Sequence, residues 1–240
     1  MRFEPYPFEK LADLLKDTIP NPGLEPIALT IGEPQYETPI FIQEALRNSA
    51  NLLKKYPKTA GEIYLKQALL DFFKKRFDVT LKSGELIPTF GTREVLFNFP
   101  QFFLFDKPNP LIAYTNPFYQ IYEGAAIASR ARRLHINLEA SNHFAPHLSD
   151  AELKDIDLVI LNFPNNPTTA TLNIEELGWW VKKALEFDFV VMNDECYSEI
   201  YHDEPTRSLL EASIHVGNES FKNVLVINSI SKRSSAPGLR

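Results

Sequence analysis

Lys232 is the residue of this sequence most suited to covalent chemistry. It follows the apolar run "NVLVI" and stands in "NSISKRSSAPGLR", with Arg233 beside it and Arg240 further on. A lysine amine becomes a nucleophile when burial or neighbouring cations lower its pKa, and it then forms imines with carbonyl compounds. Taken alone, such a lysine is more often a surface residue, so its interpretation depends on the residues that accompany it.

Polar and aromatic residues follow several other apolar runs, in "FGTRE", "TNPFY", "FPNNPTT" and "NDECY". Singly, each has a structural explanation: Asn166 could shape a turn, Asp194 could cap a helix, and Tyr119 could belong to the core. Together they match one chemistry. A carboxylate keeps a pyridine nitrogen protonated, phenol and amide groups bind a phenolate oxygen, an aromatic ring stacks, and hydroxyl, arginine and helix N-terminal groups bind phosphate. These are the requirements of pyridoxal 5′-phosphate.

The elements that must position these residues alternate along the chain. Apolar runs separated by amphipathic helical patterns predict an α/β fold with a mainly parallel sheet flanked by helices. In such sheets, ligands bind beyond the carboxyl ends of the strands, where the polar residues fall. The strands are predicted at 85–90, 110–115, 132–138, 157–164, 189–195 and 223–229, and helices at 5–17, 39–56, 60–78, 93–104, 118–129 and 173–187.

Composition excludes several classes of function. The net charge of −6 argues against non-specific binding of nucleic acid. One cysteine rules out an internal disulfide framework, and no apolar run is long enough to cross a membrane, so a cytoplasmic location is expected. The five histidines lack metal-ligand spacing, so no metal site is predicted. No glycine-rich nucleotide fingerprint or phosphate loop follows a strand.

The ordered motif series resembles the class I/II aminotransferases, which are fold-type I pyridoxal-phosphate enzymes. The resemblance runs from "LTIGEPQYETP" to the final arginine. It implies that Lys232 forms the imine with the cofactor, that Asp194 pairs with the ring nitrogen, and that Tyr197 and Asn166 bind the ring's 3-oxygen. It also implies that Tyr119 stacks on the ring. The phosphate would be held by Gly91, Thr92, Arg93, Ser229 and Arg240, and by Tyr56 from a neighbouring subunit.

The resemblance also implies a division of the chain and a dimer. Residues 1–45 would form an N-terminal arm and part of a small domain, and residues 46–240 the large cofactor-binding domain. Family members are longer and add a C-terminal small domain, whose arginine clamps the substrate carboxylate. We therefore expect this chain to lack that domain, and its large domain to be incomplete. The active sites would be shared within a homodimer.

Transamination is the implied reaction, between an amino acid and a 2-keto acid. Lys232 would act as general base on the substrate α-proton, with Gly32 and Asn166 beside the substrate. "NPFYQIYEGAA" and "SKRSSAPGLR" are most similar to bacterial N-succinyldiaminopimelate aminotransferases, which implies N-succinyl-LL-2,6-diaminopimelate and 2-oxoglutarate as substrates in lysine biosynthesis. The alternatives are an aspartate or broad-specificity aminotransferase, a carbon–sulfur β-lyase, and a non-catalytic cofactor-binding fragment.

One residue departs from the family pattern. The family usually has glycine after "NPT", where this sequence has Thr169. Glycine shapes the turn there, so we expect the substitution to affect the local backbone more than it affects Asn166.

Overall fold

The computed structural model describes residues 5–27 and 29–239, and its centre is a parallel β-sheet. Each pair of neighbouring strands runs in parallel, in the order β2-β1-β3-β4-β5. The mainly parallel sheet predicted from the apolar runs is therefore confirmed. The strands are β1 (Leu111–Asn116), β2 (Arg132–Asn137), β3 (Leu158–Leu161), β4 (Val190–Asp194) and β5 (Val224–Ile227).

Helices precede the sheet and connect its strands, as the amphipathic patterns predicted. Short 3₁₀ turns lie at Ala50–Lys54, Ser83–Glu85 and Ala140–Asn142. The α-helices are α1 (Pro7–Leu15), α2 (Ile40–Asn48), α3 (Ile63–Phe77), α4 (Thr92–Phe103), α5 (Gln120–Ala128), α6 (Asp150–Leu153), α7 (Ile174–Phe187), α8 (Leu209–His215) and α9 (Ile230–Arg233).

Helices cover both faces of the sheet, and successive strand residues point to opposite faces. On one face, Leu111 and Ala113 of β1 share a core with residues of α7 and α8, including the buried Trp180. On the other face, Ile112 and Tyr114 share a second core with residues of α4 and α5. A third cluster packs α3 beside α8 through Phe73, Phe77 and Leu210. Continuous apolar strands follow from this double burial.

Two predicted elements differ from the structure. The helix predicted at 39–56 ends at Asn48, where Ser49 leaves helical geometry, and the chain continues as a 3₁₀ turn. The strand predicted at 85–90 does not form among the described residues. Pro88 lies within it and has no N–H to donate to a neighbouring strand.

The N-terminal part packs loosely within the described chain. Neither α1 nor α2 contains a buried residue, and Ile19, Leu29 and Tyr36 are each more than four-fifths exposed. The boundary between residues 45 and 46 stays a prediction. Within 5–27 and 29–239, no helix is both long enough and apolar enough to cross a membrane.

Candidate active site

The carboxyl edge of the sheet gathers most of the residues singled out in the sequence. Asp194 is the last residue of β4, and Lys232 follows β5 on the short helix α9. Asn166 lies in the loop after β3, and Tyr119 lies between β1 and α5. Strands that run in parallel end at the same edge, which is where open α/β sheets bind ligands.

Asp194 is a buried carboxylate, 5% exposed. Its Oδ2 accepts a hydrogen bond from the Tyr122 hydroxyl at 2.9 Å, and its Oδ1 accepts one from the Cys196 backbone N–H at 3.3 Å. Burial raises the pKa of Asp194, while the hydrogen bonds from Cys196 and Tyr122 oppose that rise. No lysine or arginine of the described chain forms an ion pair with it. The structure thus presents a buried carboxylate that has no cationic partner among the described residues.

Two further residues, which the sequence motifs do not single out, hold Asp194 and its surroundings in place. Tyr122 is fully buried, and Asn162 donates from Nδ2 to the Asp194 carbonyl oxygen at 2.9 Å. The Asn162 Oδ1 atom also accepts from the Asn166 backbone N–H at 3.0 Å. Asn162 therefore links the loop after β3, which carries Asn166, to the end of β4. The helical spacing of Tyr122 from Tyr119 was the one available signal, because residues three apart lie on the same side of a helix.

Asn166 and Tyr197 converge, as predicted for two groups that bind one oxygen. The Asn166 Nδ2 atom lies 3.5 Å from the Tyr197 hydroxyl oxygen. Burial raises the pKa of Tyr197, and nearby Cys196 and Asp194 add to the rise. The Tyr197 phenol therefore stays protonated at neutral pH and can donate a hydrogen bond.

Lys232 points toward this pair. Its Nζ atom donates a hydrogen bond to the Gly32 carbonyl oxygen and lies 5.9 Å from the centroid of the Tyr197 ring. A Cβ atom built on Gly32 would lie 3.9 Å from the Tyr197 hydroxyl oxygen. The structure therefore brings the predicted substrate residue, the amine and the phenol together from distant parts of the chain.

The residues predicted to bind phosphate are placed less uniformly. Gly91 precedes α4 with φ of 103°, which glycine adopts without strain, and Thr92 begins the helix. The Arg93 Nε atom donates to the Tyr119 hydroxyl oxygen at 2.7 Å. Ser229 caps α9 by accepting from the Ser231 backbone N–H at 3.1 Å.

The structure does not bring Tyr56, one of the residues predicted to bind phosphate, to this region. Tyr56 is fully exposed, and Arg240 lies outside the described residues. Arg233, suggested as a cationic neighbour of Lys232, instead places its guanidinium 4.1 Å above the Phe72 ring of α3. Burial lowers the pKa of Arg233, and its Nε atom has no hydrogen-bond partner among the described residues.

Comparison with known proteins identifies the class to which this fold and site belong. The family model "Aminotransferase class I and II" matches residues 25–240, so the chain belongs to that family. Family members use pyridoxal phosphate, in agreement with the cofactor predicted from the strand-end residues. The parallel sheet and its helices are those of the fold-type I enzymes.

Particular relatives are more informative about the subgroup. The LL-diaminopimelate aminotransferase of Maridesulfovibrio salexigens is 34% identical over 86% of this chain and 55% of its own length. The enzyme of the same name from Aquifex aeolicus is 33% identical over 82% of this chain and 52% of its own. The chain therefore spans about half the length of these curated relatives.

Solved structures are closer in sequence. Aminotransferase AspB from Helicobacter pylori 26695 superposes with a TM-score of 0.96 and 60% identity, over 100% of this chain and 64% of that one. An aminotransferase from Neisseria meningitidis Z2491 gives a TM-score of 0.92 and 37% identity, over 100% of this chain and 62% of that one.

The residues of the site fit the family's cofactor. Asp194 is buried without a cationic partner in the described chain, which suits a protonated ring nitrogen. Among the described residues, the Lys232 amine donates a hydrogen bond to the Gly32 carbonyl oxygen and forms no ion pair. Tyr197 and Asn166 offer two neutral donors close together. The donor set is therefore consistent with pyridoxal phosphate.

Proposed function

We propose that this chain is the cofactor-binding part of a pyridoxal-phosphate-dependent aminotransferase that moves an amino group between an amino acid and a 2-keto acid. The observation that carries the proposal is the juxtaposition of Lys232, Tyr197 and Gly32 next to the buried Asp194. The family assignment supports it independently.

Each residue of this arrangement has a distinct task in the proposal. Lys232 holds the cofactor covalently, and Asp194 keeps its ring nitrogen protonated. Tyr197 and Asn166 donate to the ring oxygen, and Tyr119 covers the ring face. The N-terminus of α4, at Gly91 and Thr92, supports the phosphate with Arg93, Ser229 and Arg240, since helix N-termini bind anions.

Pyridoxal phosphate, when bound, supplies an electron sink for the charge that develops on the substrate α-carbon. The protein's own contribution is proton transfer. The Lys232 amine would act as general base and take the substrate α-proton at Nζ. Gly32 and Asn166 border the space that the substrate occupies in this proposal.

We propose N-succinyl-LL-2,6-diaminopimelate and 2-oxoglutarate as the substrates. Support comes from the similarity of residues 116–126 and 231–240 to N-succinyldiaminopimelate aminotransferases. The relatives named LL-diaminopimelate aminotransferase act on the same carbon skeleton without the acyl group. A role in lysine biosynthesis follows from either substrate.

The substrate proposal is tested by measuring kcat/KM of the purified protein for N-succinyl-LL-diaminopimelate, free LL-diaminopimelate and aspartate, each with 2-oxoglutarate. We expect the first to exceed the others by at least about 10-fold, because a site that binds an acyl group loses those contacts with the free amine. A preference for aspartate would contradict the assignment, and release of pyruvate and ammonia from cystathionine would indicate a β-lyase.

We further propose a cytoplasmic homodimer. The fully exposed Tyr56 supports shared active sites, since its predicted phosphate contact has to be made in the neighbouring subunit. The exposed apolar residues of the N-terminal part, such as Ile19 and Leu29, also suit a covered surface. Sedimentation of the purified protein tests this; a strict monomer would contradict the dimer without affecting Lys232.

A further inference from the structure

Tyr122 is a buried phenol that touches two members of the proposed site. Its side chain is fully buried, and its hydroxyl donates to the Asp194 Oδ2 atom at 2.9 Å. Its ring meets the ring of Tyr119 edge to face, with centroids 5.8 Å apart and an interplanar angle of 84°. Tyr122 thus links the carboxylate to the aromatic ring that covers the cofactor in the proposed function.

The hydrogen bonds of Asp194 show what this phenol contributes. One carboxylate oxygen accepts from Tyr122, and the other accepts from the backbone N–H of Cys196. An ionised carboxylate can accept about four hydrogen bonds, so both oxygens keep capacity for a further donor. The two protein donors fix the plane of the carboxylate and thereby the direction of the remaining lone pairs.

The pKa shifts of Asp194 and Tyr122 also indicate that this hydrogen bond stabilises the ionised carboxylate. Burial raises the pKa of Asp194, which opposes the ionised form needed beside a protonated ring nitrogen. A hydrogen bond donated to the carboxylate stabilises the ionised form. Burial and the adjacent Asp194 raise the pKa of Tyr122 well above its usual value, so its hydroxyl keeps its proton and remains a donor.

We propose that Tyr122 is a positioning residue whose hydroxyl holds Asp194 ionised and correctly oriented to bind the cofactor's ring nitrogen. The inference rests on the proposed cofactor site and adds a residue to it. The competing explanation is that Tyr122 only packs beneath Tyr119, in which case its hydroxyl has no effect that depends on the ring nitrogen.

The test compares Tyr122→Phe with Tyr114→Phe. Tyr114 is equally buried, but its hydroxyl pairs with His135 at 3.1 Å and not with Asp194. The cofactor-free proteins are titrated with pyridoxal phosphate and with its 1-deaza analogue, which has carbon in place of the ring nitrogen. The readout is the ratio of the two dissociation constants, which packing changes alone leave unaltered.

We expect Tyr122→Phe to reduce the preference for pyridoxal phosphate over the analogue by about 10-fold, the usual effect of one hydrogen bond to a charged group. Tyr114→Phe should keep the wild-type preference within about 2-fold. Tyr122→His, which retains a ring N–H donor, should lie closer to wild type than the Phe variant does.

An unchanged preference in Tyr122→Phe would overturn the inference, as would equal weakening of both ligands. If Tyr122→Phe does not fold, Tyr122→His decides: loss of its preference overturns the inference, and retention supports it. Failure of the wild-type protein to bind pyridoxal phosphate at all would instead overturn the proposed function.

Discussion

At the scale of single residues, the site depends on contrasting environments for Asp194 and Lys232. Asp194 is buried and fixed by protein donors, whereas Lys232 is partly buried and held by a carbonyl from Gly32, 200 residues earlier in the chain. Removing the Asp194 partners would leave a buried charge without compensation, which is costly. In the proposed function, the fixed carboxylate binds the ring nitrogen and the amine reacts.

Thr169 gives a prediction about local strain. It adopts φ of 61°, a left-handed conformation that a β-branched residue rarely takes, at the position where the family usually has glycine. We expect Thr169→Gly to raise the free energy of unfolding by about 1 kcal/mol, the relief of strain less the added flexibility of the unfolded chain. Urea denaturation measures the change.

Thr171→Gly is the matched control. Thr171 is exposed and is not among the described residues with positive φ. Glycine there should lower the free energy of unfolding by about 0.5–1 kcal/mol. Equal destabilisation by both substitutions would show that Thr169 is not strained.

The sequence predicted the residues that carry chemistry better than it predicted their partners. Lys232, Asp194, Asn166 and Tyr197 stand in recognisable motifs after apolar runs, and the structure brings them to one edge of the sheet. Tyr122 was overlooked because a tyrosine within an amphipathic helix resembles any core residue. The contact between Lys232 and Gly32 depends on the tertiary fold, which local spacing does not specify.

At the scale of elements, the Arg76 side chain links α3 to the loop that follows β4. The Arg76 Nε atom pairs with the Glu199 Oε1 atom at 2.8 Å, and the Arg76 Nη2 atom donates to the carbonyl oxygens of Ser198 and Thr206. The guanidinium also lies 4.4 Å from the Phe77 ring centroid. One side chain thus joins the helix to the segment that begins with Asp194 and Tyr197.

We expect Arg76→Met to lower the free energy of unfolding by about 2–3 kcal/mol, because Glu199 and two carbonyl oxygens lose a shared donor in a mostly buried setting. Arg207→Met is the control, since the Arg207 partner Glu211 forms an i,i+4 pair with an exposed arginine. That substitution should cost less than about 0.5 kcal/mol. Similar losses of unfolding free energy in the two variants would show that Arg76 does not stabilise the contact between α3 and this loop.

The fold was more predictable than its irregular parts. Of the six strands predicted between residues 85 and 229, five form, because continuous apolar runs are what a sheet buried on both faces requires. The strand predicted at 85–90 was wrong. Its apolar residues are visible in the sequence, but the sequence does not show whether a neighbouring strand lies beside them to form hydrogen bonds. The break at Ser49 was missed because the amphipathic pattern continues through the 3₁₀ turn.

At the scale of the whole molecule, Glu195 joins the end of β4 to the start of α8. Its Oε1 atom accepts from the Leu209 backbone N–H at 2.8 Å, from Ser208 at 3.2 Å and from Asn193 at 3.1 Å. Its Oε2 atom is buried without a hydrogen-bond partner in the described chain. Burial raises the pKa of Glu195 to about 8, so the folded protein keeps this carboxyl protonated at neutral pH.

Stability should therefore depend on pH in a specific direction. Between the ordinary glutamate pKa of 4.5 and about 8, the folded state holds a proton that the unfolded state has released. The Glu195 contribution is complete below that range and is lost as pH rises, at up to about 1.4 kcal/mol per pH unit. Glu195→Gln removes this titration.

We expect Glu195→Gln to gain stability relative to wild type as pH rises from 5 to 8, measured by urea denaturation at each pH. Both proteins share every other titrating group, so subtracting their curves isolates Glu195. A difference that stays constant across the range would show that Glu195 is ionised in the folded protein.

The central claim is most directly tested by locating the covalent attachment of the cofactor. The protein is incubated with pyridoxal phosphate, reduced with borohydride and digested with trypsin, which does not cleave after a modified lysine. We predict that the label is found on one peptide, residues 223–233, at Lys232. A folded protein that carries the label on another lysine, or carries none, would contradict the account.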